Sequence, residues 1–170
     1  TLRRQNEDLA AWRRDAGQLV AQLRAARMPT PSAGTGKLVN ALARAGLFRS
    51  GGVLAGTHAF GLYALELGVQ LRDSLAVTED VDIAAAKTVR VVTDEAASLT
   101  ASLEGVGLRP LAGPGEPHPV RWETPDGVVL DILTPRRRGA ETVLRHDGLG
   151  VWAQALPYLE FSLEIGRAHV

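Results

Sequence analysis

The sequence predicts an α/β (α+β) domain, a small mixed sheet flanked by helices, with an N-terminal helix in front of it. Three observations predict it. Residues 1–27 carry apolar side chains at helical spacing, with Leu2, Leu9, Ala16 and Leu23 seven apart and Trp12, Leu19 and Val20 widening the stripe. Beyond them, short apolar runs alternate with helical stretches, as in Gly51–Gly56 followed by residues 58–67. Thr124-Pro125-Asp126-Gly127 then joins two further apolar runs, and its turn chemistry reverses the chain.

Composition bounds the possibilities. At 170 residues the chain is long enough to bury a core without disulfides or metal staples. Nineteen basic residues balance nineteen acidic ones, so no overall basic field argues for nucleic acid, and any partner is recognised by local patches. The absence of cysteine excludes a disulfide framework and a thiolate zinc site, and fits a reducing, cytoplasmic setting. No apolar run reaches the ~18 residues of a membrane span. Thr1 in place of methionine leaves room for an upstream leader.

The elements follow in order. In residues 1–27 six arginines stand against three acids, a helix that packs one face on the domain or a partner helix, with a charge excess that admits contact with RNA or protein. Pro29–Gly34 is a linker, because two prolines and a glycine continue neither periodic element. The expected division is therefore 1–34 as helix and linker, 35–163 as the main domain lacking part of its C-terminal side, and 164–170 as a non-native tail. Gly34-Thr35-Gly36-Lys37 is not a phosphate loop, since Pro31 and Leu38 stand where that motif needs glycine and a hydroxyl. Thr35 instead caps a helix from Lys37 to Ala45, which Gly46 ends.

Gly51–Gly56 has the length and flanks of a buried strand. Thr57 starts a helix over 58–67, closed by Gly68, with Phe60, Tyr63, Leu65 and Leu67 expected in the core. Residues 69–77 form a small extra element in which Arg72 is a candidate for phosphate or base contact. A strand over Val81–Ala85 leads to a helix over Asp94–Gly105, capped by Thr93 or Asp94, then to an edge strand at Leu108–Leu111. Ala112–Pro119 is a loop whose His118 has no metal partner at useful spacing. The hairpin comprises Val120–Glu123 and Val128–Leu133, stopped by Pro135. Arg136, Arg137 and Arg138 make a solvated turn or neutralise substrate charge. Leu149–Leu163 supplies further strands or a helix. The sheet is expected parallel at first and antiparallel at the hairpin.

Function is most legible in the acids. In Glu79-Asp80-Val81-Asp82-Ile83-Ala84 they alternate with apolar residues at strand period, so Asp80 and Asp82 project from one face. Such close carboxylates repel unless a cation sits between them, and a hard ion such as Mg2+ suits them. Asp131 lies inside Val128–Leu133, where a charge needs a reason. At Gly56-Thr57 a strand-to-helix junction aims backbone N–H groups and the positive end of a helix at one point, an anion site. His58, in the first helical turn, either bonds a phosphate or an acid, or caps and packs.

These residues together resemble the polymerase-β-like nucleotidyltransferase superfamily over about Leu38 to Leu133: an apolar residue, Gly and a small residue before a helix, an acid-x-acid strand, and a third acid on a neighbouring strand. Thr57 departs from the more usual Gly or Ser. More narrowly, Gly56-Thr57-His58-Ala59-Phe60 with Thr78-Glu79-Asp80-Val81-Asp82 resembles a bacterial group of nucleotidyltransferase-like proteins. The resemblance implies a Mg2+-dependent enzyme that moves an NMP from an NTP to a hydroxyl acceptor (protein, RNA or small molecule). It further implies two Mg2+ ions, or Mn2+, held by Asp80, Asp82 and Asp131, with Gly56, Thr57 and His58 at the nucleotide's phosphates. Asp131 would also take the proton of the attacking hydroxyl, and Thr78 would steady Asp80. Two alternatives stand beside this: a catalytically inactive nucleotide-binding or toxin-antitoxin-type module of the same fold, and a structural domain whose acids are turn and surface features.

Overall fold

In the computed structural model, residues 2–28, 30–69, 80–89, 99–105, 107–113 and 117–167 are described. Five helices and seven strands occur among them: α1 Leu2–Ala25, α2 Ala33–Arg44, β1 Val53–Ala55, α3 Gly56–Leu67, β2 Val81–Ala84, α4 Leu99–Gly105, β3 Arg109–Leu111, β4 Arg121–Glu123, β5 Val129–Pro135, β6 Val143–His146, β7 Val151–Leu156 and α5 Leu159–Arg167. The extra element expected around Arg72 and the cap expected at Thr93 or Asp94 lie outside the described residues.

Two compact units divide the chain. One combines α1 with α3 from Gly61 onward; the other joins Pro31–Phe60 to the described residues from Asp80 on and holds the whole sheet. In the first unit, α1 forms as its periodicity predicts, yet Leu9, Trp12, Leu19 and Val20 stay exposed. Along α3, Ala64 is buried while Phe60, Tyr63 and Leu67 are exposed and Leu65 is half-buried, so the expected core assignment fails for the large side chains.

The second unit is built on a mixed seven-stranded sheet with the path β1-β2-β5-β4-β3, and β7 pairs both β5 and β6. β1 runs antiparallel to β2, not parallel as expected. β1 is an edge strand with Val53 exposed rather than a buried one. β2 pairs β5 in parallel, and β4 pairs β5 antiparallel through the expected turn, where Thr124 accepts from Val128 N–H through its side chain.

One face of this sheet is the core. Val81, Ile83, Leu130, Ile132, Trp122, Val151 and Ala153 pack with Leu38 and Leu42 of α2 and Leu99 and Leu103 of α4. Val81, Ile83, Leu130, Ile132, Leu42 and Leu99 are fully buried, worth ~2 kcal/mol each by apolar transfer, which pins the strand register because a one-residue slip would exchange the faces. α2 begins earlier than expected because Ser32, not Thr35, is its cap: Ser32 Oγ accepts from Thr35 N–H at 3.1 Å. Gly34 is needed there, since a Cβ would lie 2.8 Å from Val128 Cγ2.

A strand escaped the sequence reading altogether. β6 forms a hairpin with β7 across residues 147–150, and Asp147-Gly148 was the turn signal that marked it. His146 at its end is buried and its Nε2–H donates to Ala86 carbonyl at 2.9 Å, tying β6 to the exit of β2. On the opposite sheet face, α5 packs Leu163 on Ala84 and Leu133. β5 also runs on through Pro135, beyond the stop expected there, because a proline as the last strand residue removes only one N–H from the ladder.

Candidate active site

The sheet register assembles the site. In the parallel β2–β5 pair, Asp82 is the partner of Asp131. Neighbouring strands lie ~4.8 Å apart, so these carboxylates rise side by side from one face. Asp82 in turn faces Ala55 on β1, Asp131 faces Arg121 on β4, and Arg121 faces Leu111 on β3. A single row of residues, Ala55–Asp82–Asp131–Arg121–Leu111, thus crosses five strands. Asp80, two residues before Asp82 and exposed, belongs to the same face by strand alternation.

Burial acts first on both strand acids. It pushes the Asp82 carboxyl above the ordinary carboxylate range, Asp80 adds to this, and His58 and Arg121 oppose it. Asp131 is likewise raised by burial; Arg121 pulls it down while Asp82 and Asp80 push it up. Asp82 and Asp131 therefore each sense Asp80, and Asp131 senses Asp82. The Arg136–Arg138 triplet is not among the charges that shift either acid.

Arg121 is the residue that sequence reasoning missed. Its Nε–H donates to Asp131 Oδ1 at 3.0 Å, and the Asp131 side chain is 11 % exposed against 56 % for Arg121. The available signal was spacing: Arg121 and Asp131 flank the Pro-Asp-Gly turn at positions that a hairpin pairs.

Gly56 closes the other end of the row. It follows Ala55 directly, its φ is +64°, and a Cβ there would collide with the Asp82 carboxylate. Glycine is thus required by the acid as much as by any ligand: the chain turns into α3 against Asp82 itself. Thr57 and His58 fill the first turn of α3. His58 Nε2 is a buried nitrogen with no hydrogen-bond partner, within electrostatic reach of Asp82. Arg72 lies outside the described residues. Among the described residues no three acids or histidines are already gathered at ligating distance, and one Asp131 oxygen is held by Arg121.

An open mixed sheet with an N-terminal helix, whose one face carries the aspartates beside a strand-to-helix glycine, defines a nucleotidyltransferase-like α+β domain. Residues 33–167 match the nucleotidyltransferase family, and the chain belongs to it. Membership implies transferase chemistry with a nucleoside triphosphate as donor. No curated protein and no solved structure matches the chain. Among the described residues no helix is long and apolar enough to cross a membrane.

Proposed function

We propose that this chain transfers a nucleoside monophosphate from an NTP to a hydroxyl acceptor on the acid face of the sheet, in the manner of the polymerase-β-like superfamily and of the bacterial group its Gly56–Phe60 run resembles. The observation that carries this reading is the register pairing of Asp82 with Asp131, next to Gly56 at the start of α3.

The donor set suits a divalent ion. Asp80, Asp82 and Asp131 offer hard oxygens, and the burial and like-charge repulsion that raise Asp82 and Asp131 are what a bound cation relieves. Mg2+, or Mn2+, held by these three carboxylates supplies charge neutralisation for the triphosphate and stabilises the entering and leaving oxygens. The backbone N–H groups of Gly56 and Thr57 and the positive end of α3 hold the β and γ phosphates. His58 Nε2, buried and unpartnered, is available to bond a phosphate oxygen or to orient Asp82. Asp131 accepts the proton of the attacking hydroxyl as the new O–P bond forms; the bond from the α phosphorus to the bridging oxygen breaks, and pyrophosphate leaves with the electron pair.

The test is an assay with α-labelled NTPs and Mg2+, following both label transfer and pyrophosphate release. Asp131→Asn is expected to lower transfer by ~10²–10⁴-fold, the usual range for removing a general base. Transfer at the wild-type rate in that variant removes the assignment.

A further inference from the structure

We infer that the groove between β4 and β7 is the acceptor subsite, and that it takes a small, uncharged hydroxyl compound. The inference rests on the nucleotidyl-transfer reading and adds to it the class of acceptor.

The groove has a topological cause. β5 pairs β4 through Val129–Asp131 and β7 through Leu133–Pro135, on the same edge. Two parallel rows of residues therefore part company: Ala55–Asp82–Asp131 continues to Arg121 and Leu111, whereas Val53–Ala84–Leu133 continues to Gln154 and Val143. Between the diverging strands opens a space of about 480 Å³ whose lining includes Leu111, Val120, Arg121, Thr142, Val143 and Gln154. Leu111, Arg121, Val143 and Gln154 stand in those two rows, so the groove opens on the face that carries the acids.

Its direction fits the chemistry. The phosphate-binding turn at Gly56 lies on the β1 side of Asp82, and the groove lies on the β4 side of Asp131. In-line displacement needs the entering and leaving oxygens on opposite sides of phosphorus. A triphosphate anchored at Gly56 leaves the β4 side to the acceptor, and Arg121 belongs to both the groove and the acid row.

The lining sets the class. The volume is within the range of small-molecule pockets. A nucleic-acid acceptor calls for several cations along its backbone, whereas among the described residues Arg121 is the one basic residue in this lining and is bonded to Asp131. Leu111, Val120 and Val143 face an apolar body; the Thr142 hydroxyl and Gln154 amide offer donors and acceptors to a neutral polar rim. The acceptor hydroxyl loses its proton to Asp131 and bonds the α phosphorus, and pyrophosphate departs.

The experiment uses the full chain, Mg2+, the four α-labelled NTPs and three acceptor sets in parallel: monosaccharides with nucleosides, total tRNA, and casein. Label is expected in the small compounds. Val143→Trp and Gln154→Trp are expected to raise the KM for the labelled small compound at least tenfold, with the Kd for NTP changed less than twofold. Gln154 is exposed, so its replacement leaves the core intact, and far-UV circular dichroism verifies the fold of both variants. Label only in tRNA or casein, or small-compound transfer indifferent to both variants, overturns the inference while sparing the nucleotidyl-transfer reading. No transfer to any acceptor and no pyrophosphate released would defeat that reading and this inference together.

Discussion

Asp82 and Asp131 are register partners on adjacent parallel strands, with Arg121 opposite Asp131 on the next strand. Two partly buried carboxylates and one guanidinium in a line make an electrostatic arrangement that costs stability at neutral pH, because burial is the largest effect on both acids and the arginine offsets it only in part.

That cost is measurable through pH. A carboxyl whose native pKa is raised binds its proton more tightly when folded, so its stabilising contribution is full below the unfolded value and is lost as pH rises through the native value. In metal-free buffer, Asp82→Asn should therefore raise the melting temperature at pH 7, by a small amount because solvent screens a carboxyl this exposed. The gain should shrink as pH approaches 4. Thermal denaturation of both proteins across pH 4–8 checks the sign; a gain that grows toward low pH contradicts it.

Gly56→Ala combines two penalties. Alanine at φ +64° costs ~1 kcal/mol, and its methyl group displaces the Asp82 carboxylate. A misplacement of about 1 Å is enough for a loss near 10²-fold in transfer. Gly61, by contrast, lies within α3 with open space at its Cβ and no positive φ. Gly61→Ala should stabilise by ~0.5–1 kcal/mol and leave transfer unchanged. Melting curves and initial rates on the pair separate backbone strain from damage to the acid.

Arg121→Gln removes the cation opposite Asp131. Because the arginine side chain is largely exposed, screening keeps the pair below ~1 kcal/mol, and stability should change little. Its larger effect should be on ions: with one Asp131 oxygen released, Mn2+ titrated in the absence of nucleotide should bind several-fold more tightly. Equal or weaker Mn2+ binding would mean that the arginine does not compete for this carboxylate.

Ser32→Ala tests the local reading of α2. Loss of the cap that serves Thr35 N–H should cost ~1 kcal/mol and lower the melting temperature by roughly 2–4 °C, with transfer intact.

Much of this was legible in the chain before any coordinates. Period-two alternation at Asp80 and Asp82, an acid inside the apolar run at Asp131 and the Pro-Asp-Gly turn specify the acid face, because alternation and turn chemistry are local. Arg121 was hidden because its importance comes from cross-strand pairing rather than from its neighbours in sequence. The antiparallel β1 escaped for the same reason: direction is set by where β2 re-enters the sheet. At Gly56 the need for glycine was legible but its immediate cause, the carboxylate of Asp82, was not. Phe60, Tyr63 and Leu67 misled because an apolar helix without a polar face gives no stripe from which to tell its buried side.

The central claim is that Asp80, Asp82 and Asp131 form one cation and triphosphate site. Counting Mn2+ bound per chain by electron paramagnetic resonance, with a non-hydrolysable NTP analogue present, tests it most directly. The account predicts two ions per wild-type chain, and at most one in Asp82→Asn or Asp131→Asn, with weaker nucleotide binding in both. Identical Mn2+ stoichiometry and affinity in wild type and both variants would contradict it.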